Sequence, residues 1–98
     1  MIIDNPDHKR YEIRVSDDLA GFVQYRRRPG LIALIHTEID QRFEGQGLGS
    51  ELVKAVLDGA RSEGVAVLPF CPFVNGFISR HPEYVSLVPE DFRSEFGL

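Results

Sequence analysis

Gln41-Arg42-Phe43-Glu44-Gly45-Gln46-Gly47-Leu48-Gly49-Ser50 decides how this chain is read. The stretch follows an apolar, β-branched run from Leu31 to Ile39 and opens an amphipathic helical pattern. Glycines at every second position leave the backbone N–H groups uncovered by side chains. At a helix N-terminus those groups meet a dipole that favours negative charge. Strand, glycine loop and helix therefore predict a phosphate cradle. A plain tight loop is the lesser reading, because three alternating glycines exceed what a turn requires.

The loop is not a nucleotide-triphosphate loop of the Walker type, since no Lys-Ser or Lys-Thr follows it. It is not the dinucleotide fingerprint either. Its spacing is G-x-G-x-G, it comes after several strands, and no acidic residue closing a following strand is in place to hold a ribose.

Outward from the loop, Leu31 to Ile39 reads as a central strand. Strict alternation puts Leu31, Ala33, Ile35, Thr37 and Ile39 on one face and Ile32, Leu34, His36 and Glu38 on the other. Its first half is apolar on both faces, which predicts cover on both sides. Upstream, residues 8–15 alternate and read as a strand, and residues 19–28 as a second one, closed by a Pro29-Gly30 turn. Downstream, a helix runs from about Gly47 to Glu63 with Leu48, Leu52, Val53, Val56, Leu57 and Ala60 on one stripe. Gly64 is placed to end it in the left-handed conformation. Val65 to Leu68 is a short buried strand, expected to lie parallel to the central one through a right-handed crossover. Pro72 starts a second helix with Phe73, Val74, Phe77 and Ile78 on its apolar face, and His81-Pro82 stops it. The tail from Glu83 to Leu98 reads as a turn and a short helix packed by Tyr84, Leu87, Val88, Phe92 and Phe96.

Composition bounds the rest. Ninety-eight residues make one compact domain, 1–98, which buries roughly 65% of its unfolded surface. A net charge of −4 argues against nucleic acid or an anionic membrane as the main partner. No apolar run approaches the ~20 residues of a membrane helix. One cysteine forms no internal disulfide, which suits a reducing compartment, and the N-terminus carries no signal-peptide pattern, so a cytoplasmic location is expected. Arg26-Arg27-Arg28 reads as a solvated turn edge or, alternatively, a dock for a phosphate or acidic substrate. Three histidines and one cysteine show no metal spacing, and no metal is predicted.

Arg42-Phe43-Glu44-Gly45-Gln46-Gly47 resembles the loop of the GNAT N-acetyltransferase superfamily, written Q/R-x-x-G-x-G/A. A closer resemblance extends over nearly the whole chain. His36-Thr37-Glu38, Leu68-Pro69-Phe70-Cys71-Pro72-Phe73-Val74 and His81-Pro82-Glu83-Tyr84 look like the small, compact branch of that superfamily, which lacks the N-terminal helical pair of larger members. The resemblance implies an α/β (α+β) fold, with a GNAT-like central mixed sheet built from an antiparallel N-terminal meander followed by β-loop-α-β-α. It implies an acetyl-coenzyme A-dependent N-acetyltransferase, with a small-molecule acyl donor and an amine acceptor that the family does not define. The implied cofactor-binding residues are the backbone of His36, Thr37 and Glu38, pairing with the pantetheine arm, and Arg42, Phe43, Glu44, Gly45, Gln46, Gly47, Leu48 and Gly49 around the pyrophosphate. Glu44 departs from the arginine common in this slot, and a carboxylate there opposes phosphate. Arg42, Lys54 and Arg80 are the basic candidates for the adenosine 3′-phosphate.

Acetyl transfer also needs a base for the amine and a proton for the departing thiolate. The resemblance places the family's usual acidic base at or near Ile32 and its proton-donating tyrosine near Phe77, and neither side chain here can move a proton. Cys71 is the leading substitute, since it precedes a helix N-terminus, a setting that favours thiolate. It could serve as a nucleophile or as a proton donor, or it could be a small buried hydrophobe. His36 and Glu38 could relay a proton from the amine or simply be a sheet histidine and a solvated strand end. His81, Glu83 and Tyr84 read as a structural corner, with Tyr84 as an acid the lesser option. Two further readings remain open: a coenzyme A-binding module without turnover, and an interaction domain whose loop is incidental.

Overall fold

A computed structural model describes residues Met1–Leu98. Its sheet has five strands in the order β1(Ile2–Asn5), β2(Arg10–Val15), β3(Asp18–Arg28), β4(Leu31–Ile39), β5(Ala66–Pro69). The first four pair antiparallel, and β5 pairs parallel to β4. The mixed sheet and the β-loop-α-β-α order follow the sequence expectation. The N-terminal strand β1 does not, because Ile2–Asn5 is too short and too exposed to show an alternating pattern.

Helix α1(Leu48–Glu63) joins β4 to β5, and α2(Pro72–Arg80) follows β5. Gly64 caps α1 at φ 73°, its N–H donating to Ala60 and Arg61 carbonyls, as the left-handed cap requires. Pro72 occupies the first turn of α2. Residues Pro82–Leu87 form a 3₁₀ turn and Glu90–Arg93 a one-turn helix, α3.

Both long helices deliver to one core. Leu52, Val53, Val56, Leu57 and Ala60 of α1 and Val74, Phe77 and Ile78 of α2 bury against Ile13, Val23, Tyr25, Ile32, Leu34 and Val67 of the sheet. The other sheet face stays open. Leu31, Ala33 and Ile35 are only half-buried there, so β4 is covered on one side, not two. Phe73 and Phe92, expected to pack inward, are each 41% exposed.

The alternation of β4 is broken once. Gln24 pairs with His36 and Tyr25 with Leu34, so Ile35 is an extra residue opposite that step. Such a bulge shifts the side-chain parity of everything beyond it. Thr37 pairs with Val23, a fully buried residue of the helix-covered face, and therefore joins Ile32 and Leu34 there. His36 and Glu38 go to the open face, paired with Gln24 and Phe22. The two face sets inferred from strict alternation are thus exchanged beyond residue 35.

Candidate functional site

The C-terminal end of β4 runs through a 3₁₀ turn, Gln41–Phe43, into the glycine loop. Asp40 caps that turn. Its carboxylate accepts from the Arg42 backbone N–H at 2.9 Å and from the Arg42 guanidinium at 3.1 and 3.2 Å. These bonds hold the Asp40 carboxyl below its usual range. Arg42 also lies over the Phe43 ring, 5.3 Å from its centre.

Gly45 and Gly47 take φ of 82° and 76°, in the left-handed region where glycine is favoured. That geometry swings the chain into α1 with its amides bare. The backbone N–H groups of residues 45–50 have no acceptor in the chain; the first amide with one is Glu51, bonded to the Gly47 carbonyl at 3.1 Å. Gly49 has a different reason to be glycine. A Cβ there would stand 2.8 Å from Cζ of Phe73, so the Phe73 ring rests against α1 at a point where no side chain intervenes.

The bare amides face a cavity of about 430 Å³ lined by Thr37, Ile39, Phe43, Glu44, Gly45, Gly47, Leu48, Gly49, Ser50 and Phe73. Most of the loop residues expected to hold a ligand are brought together here. Gln46 is not on the wall, and Arg42 is committed to Asp40. Lys54 is likewise paired, with Asp58 at 2.8 Å. Phe73, Ile39 and Ser50 line the cavity without having been singled out for it. Phe73 could have been suspected only from the glycine at 49, and that inference needs the fold.

Strands β4 and β5 separate beyond the Leu34–Pro69 pair. The last link across the gap is the Cys71 N–H, which donates to the Leu34 carbonyl at 2.9 Å. Past that point β4 has a free edge on the side of β5, next to the cavity. Cys71 sits at the start of α2, 3% exposed, with Sγ 3.2 Å from Thr37 Oγ1. His36 and Glu38 are on the opposite face, their side chains 55% and 62% exposed and 4.0 Å apart. The His36 ring meets Phe22 edge-on at 6.2 Å.

Ile32 and Phe77, the apolar occupants of the implied acid and base positions, are 1% and 3% exposed. The His81-Pro82-Glu83-Tyr84 segment is a corner. His81 stacks on Phe77 at 4.0 Å and bonds the Phe77 carbonyl through Nδ1, and the buried Tyr84 hydroxyl donates to Asp58 on α1 at 2.7 Å.

Residues 10–87 match the family model described as GCN5-related N-acetyl-transferase. The chain belongs to that family. Among solved structures, this acetyltransferase-family chain is similar to a GCN5-like protein from Staphylococcus aureus, determined in solution by NMR. The two share 22% sequence identity with a TM-score of 0.69, over 91% of this chain and 87% of that one. At that identity the likeness concerns the fold. No curated protein matches the chain. In this member of the family the loop, the free strand edge and the cavity stand together at one end of β4. No helix of the chain is long and apolar enough to cross a membrane.

Proposed function

We propose that this family member is an acetyl-coenzyme A-dependent N-acetyltransferase acting on an amine. One observation carries the reading: the unpaired amides of residues 45–50 open onto the cavity beside the free edge of β4. Unpaired N–H groups at the start of a 16-residue helix suit a diphosphate. The main chain of Thr37 faces the free edge and is available to pair with an extended pantetheine arm, while His36 and Glu38 on either side are turned to Gln24 and Phe22 of β3. Bound in this way, the donor supplies a thioester carbonyl, and the chain's part is to hold it where the strands separate and to exclude water. Ile39 and Phe73 supply apolar walls for the arm. Glu44 lines the same cavity and repels phosphate, which sets the affinity below that of a loop with a cation in this slot.

The cysteine would act from the helix-covered side of the sheet gap. His36 and Glu38 would act from the open side, where an acceptor amine can approach without displacing the donor. Their separation by the sheet divides the two proton tasks: loss of a proton from the amine on one face, gain of a proton by the leaving sulfur on the other.

The second reading is a coenzyme A-binding module without turnover. The burial of apolar Ile32 and Phe77 favours it, because neither position can move a proton. Isothermal titration with acetyl-coenzyme A, followed by measurement of coenzyme A release with a panel of amines, tests both. Binding with amine-dependent release supports the enzyme; binding with no release supports the module; no binding removes both.

A further inference from the structure

The bulge at Ile35 carries Thr37 onto the helix-covered face of β4, where its Oγ1 meets Cys71 Sγ at 3.2 Å. Thr37 lines the cavity, whereas Cys71 does not. The thiol is almost wholly enclosed, and the hydroxyl stands beside it on the wall. A threonine hydroxyl donates one hydrogen bond while accepting another, and a thiol is a weak donor. Either atom of the pair can donate, and with an acceptor in the cavity the arrangement that uses both hydrogens is a chain, Sγ–H toward Oγ1 and Oγ1–H toward that acceptor.

We infer that Thr37 is the catalytic side chain that meets the thioester sulfur, and that Cys71 stands behind it as the proton source of a two-step relay. The inference rests on the acetyl-donor reading above. As the acceptor nitrogen bonds to the carbonyl carbon, the carbon–sulfur bond breaks and its electron pair passes to sulfur. Thr37 gives its Oγ1 proton to that sulfur and takes the Sγ proton of Cys71. Cys71 is left as thiolate and, once coenzyme A has left, recovers a proton through Thr37 Oγ1 from water carrying the one lost by the amine. The protein is unchanged after each turnover. The same geometry argues against an acetyl-cysteine, since the thiol is enclosed and only the Thr37 hydroxyl reaches the cavity wall.

The single cysteine makes this testable without relying on activity. The infrared S–H stretching band of the protein belongs to Cys71 alone, and acetyl-coenzyme A adds no thiol. Wild type, Thr37→Val and Thr37→Ser are compared with and without acetyl-coenzyme A at a concentration that calorimetry finds saturating. The band should lie at lower frequency in wild type and Thr37→Ser than in Thr37→Val, whose S–H has no acceptor. Acetyl-coenzyme A should move it in the first two and not in the third. Amine-dependent coenzyme A release should fall about a hundredfold in kcat in Thr37→Val, with KM for the donor unchanged. A band at the same frequency in wild type and Thr37→Val overturns the inference, as does saturation of the wild type that leaves its band unmoved. Absence of any donor binding overturns the acetyl-donor reading and, with it, the relay.

Discussion

Gly21 of β3 lies so close to the main chain of Glu38 on β4 that a Cβ added to it would stand 2.6 Å from the Glu38 carbonyl oxygen. The added atom would also collide with Cδ1 of Ile39. A backbone oxygen within a strand pair cannot swing aside, so the cost falls on the sheet beside the site.

Gly21→Ala should therefore destabilise the fold by roughly 1–3 kcal/mol through overpacking. Gly59→Ala makes the opposite case. It lies inside α1, where a Cβ meets nothing within 4 Å, and should gain up to about 1 kcal/mol from helix propensity. Urea unfolding of the two variants reads the difference, and a loss in both or a gain in both contradicts the packing argument.

Gly47→Leu separates backbone strain from ligand binding. Its φ of 76° disfavours a side chain by about 1–2 kcal/mol, and the leucine would project from the cradle. Gly30→Leu, at φ 72° in the β3–β4 turn, carries the same strain far from the cavity. Both should lower the melting temperature by similar amounts. Only the first should weaken acetyl-coenzyme A binding, by at least tenfold in titration calorimetry.

Acid sensitivity should trace to Glu12. Burial pushes its carboxyl pKa upward, but hydrogen bonds from Arg10, Asn5 and Arg14 outweigh that and hold it below the ordinary 4.5. The bonds are short, 2.8 Å from Arg10 and 3.0 Å from each of Asn5 and Arg14. The cover is thin, made of the partner side chains themselves on the open sheet face. A lowered folded-state pKa means that the stability from Glu12 is present above pH 4.5 and is lost as pH falls through the folded value. Glu12→Gln should cost about 1–3 kcal/mol at pH 7 and flatten the decline of stability below pH 4.5. An unchanged acid limb in the variant would assign the sensitivity to other carboxylates.

Tyr84→Phe should cost about 1.5 kcal/mol, the low end for a bond to a charged group because Asp58 is itself half exposed. The lost bond ties α1 to the corner after α2. It touches no cavity residue, so donor affinity should stay at the wild-type value. A variant that binds the donor more weakly while remaining equally stable would give Tyr84 a place at the site that the corner does not explain.

The glycine loop, the helix that follows it and the parallel β5 were legible because each depends on neighbours in sequence. Gly45 and Gly47 signal positive φ by themselves, Gly64 and Pro72 mark helix ends, and the stripe on α1 has a single period. The side chains of β4 were legible only as far as Leu34. Beyond it the alternation reverses at Ile35, because the partner strand offers no residue opposite it. Nothing in residues 31–39 announces that slip; it is a property of the β3–β4 pair. The resemblance implied main-chain roles for His36, Thr37 and Glu38, but the same slip that moves the side chains turns the main chain of His36 and Glu38 toward β3 and leaves that of Thr37 at the free edge.

The sequence by itself determined where an anion can be held, because bare amides at a helix start follow from local glycines and the helix that comes next. Tertiary structure alone decided what surrounds that place. Thr37 meets Cys71 across 34 positions of chain, and Phe73 closes over Gly49. Contacts such as these form when the core closes two helices onto one sheet face, and a burial of that kind is set by the whole chain at once rather than by any stretch of it.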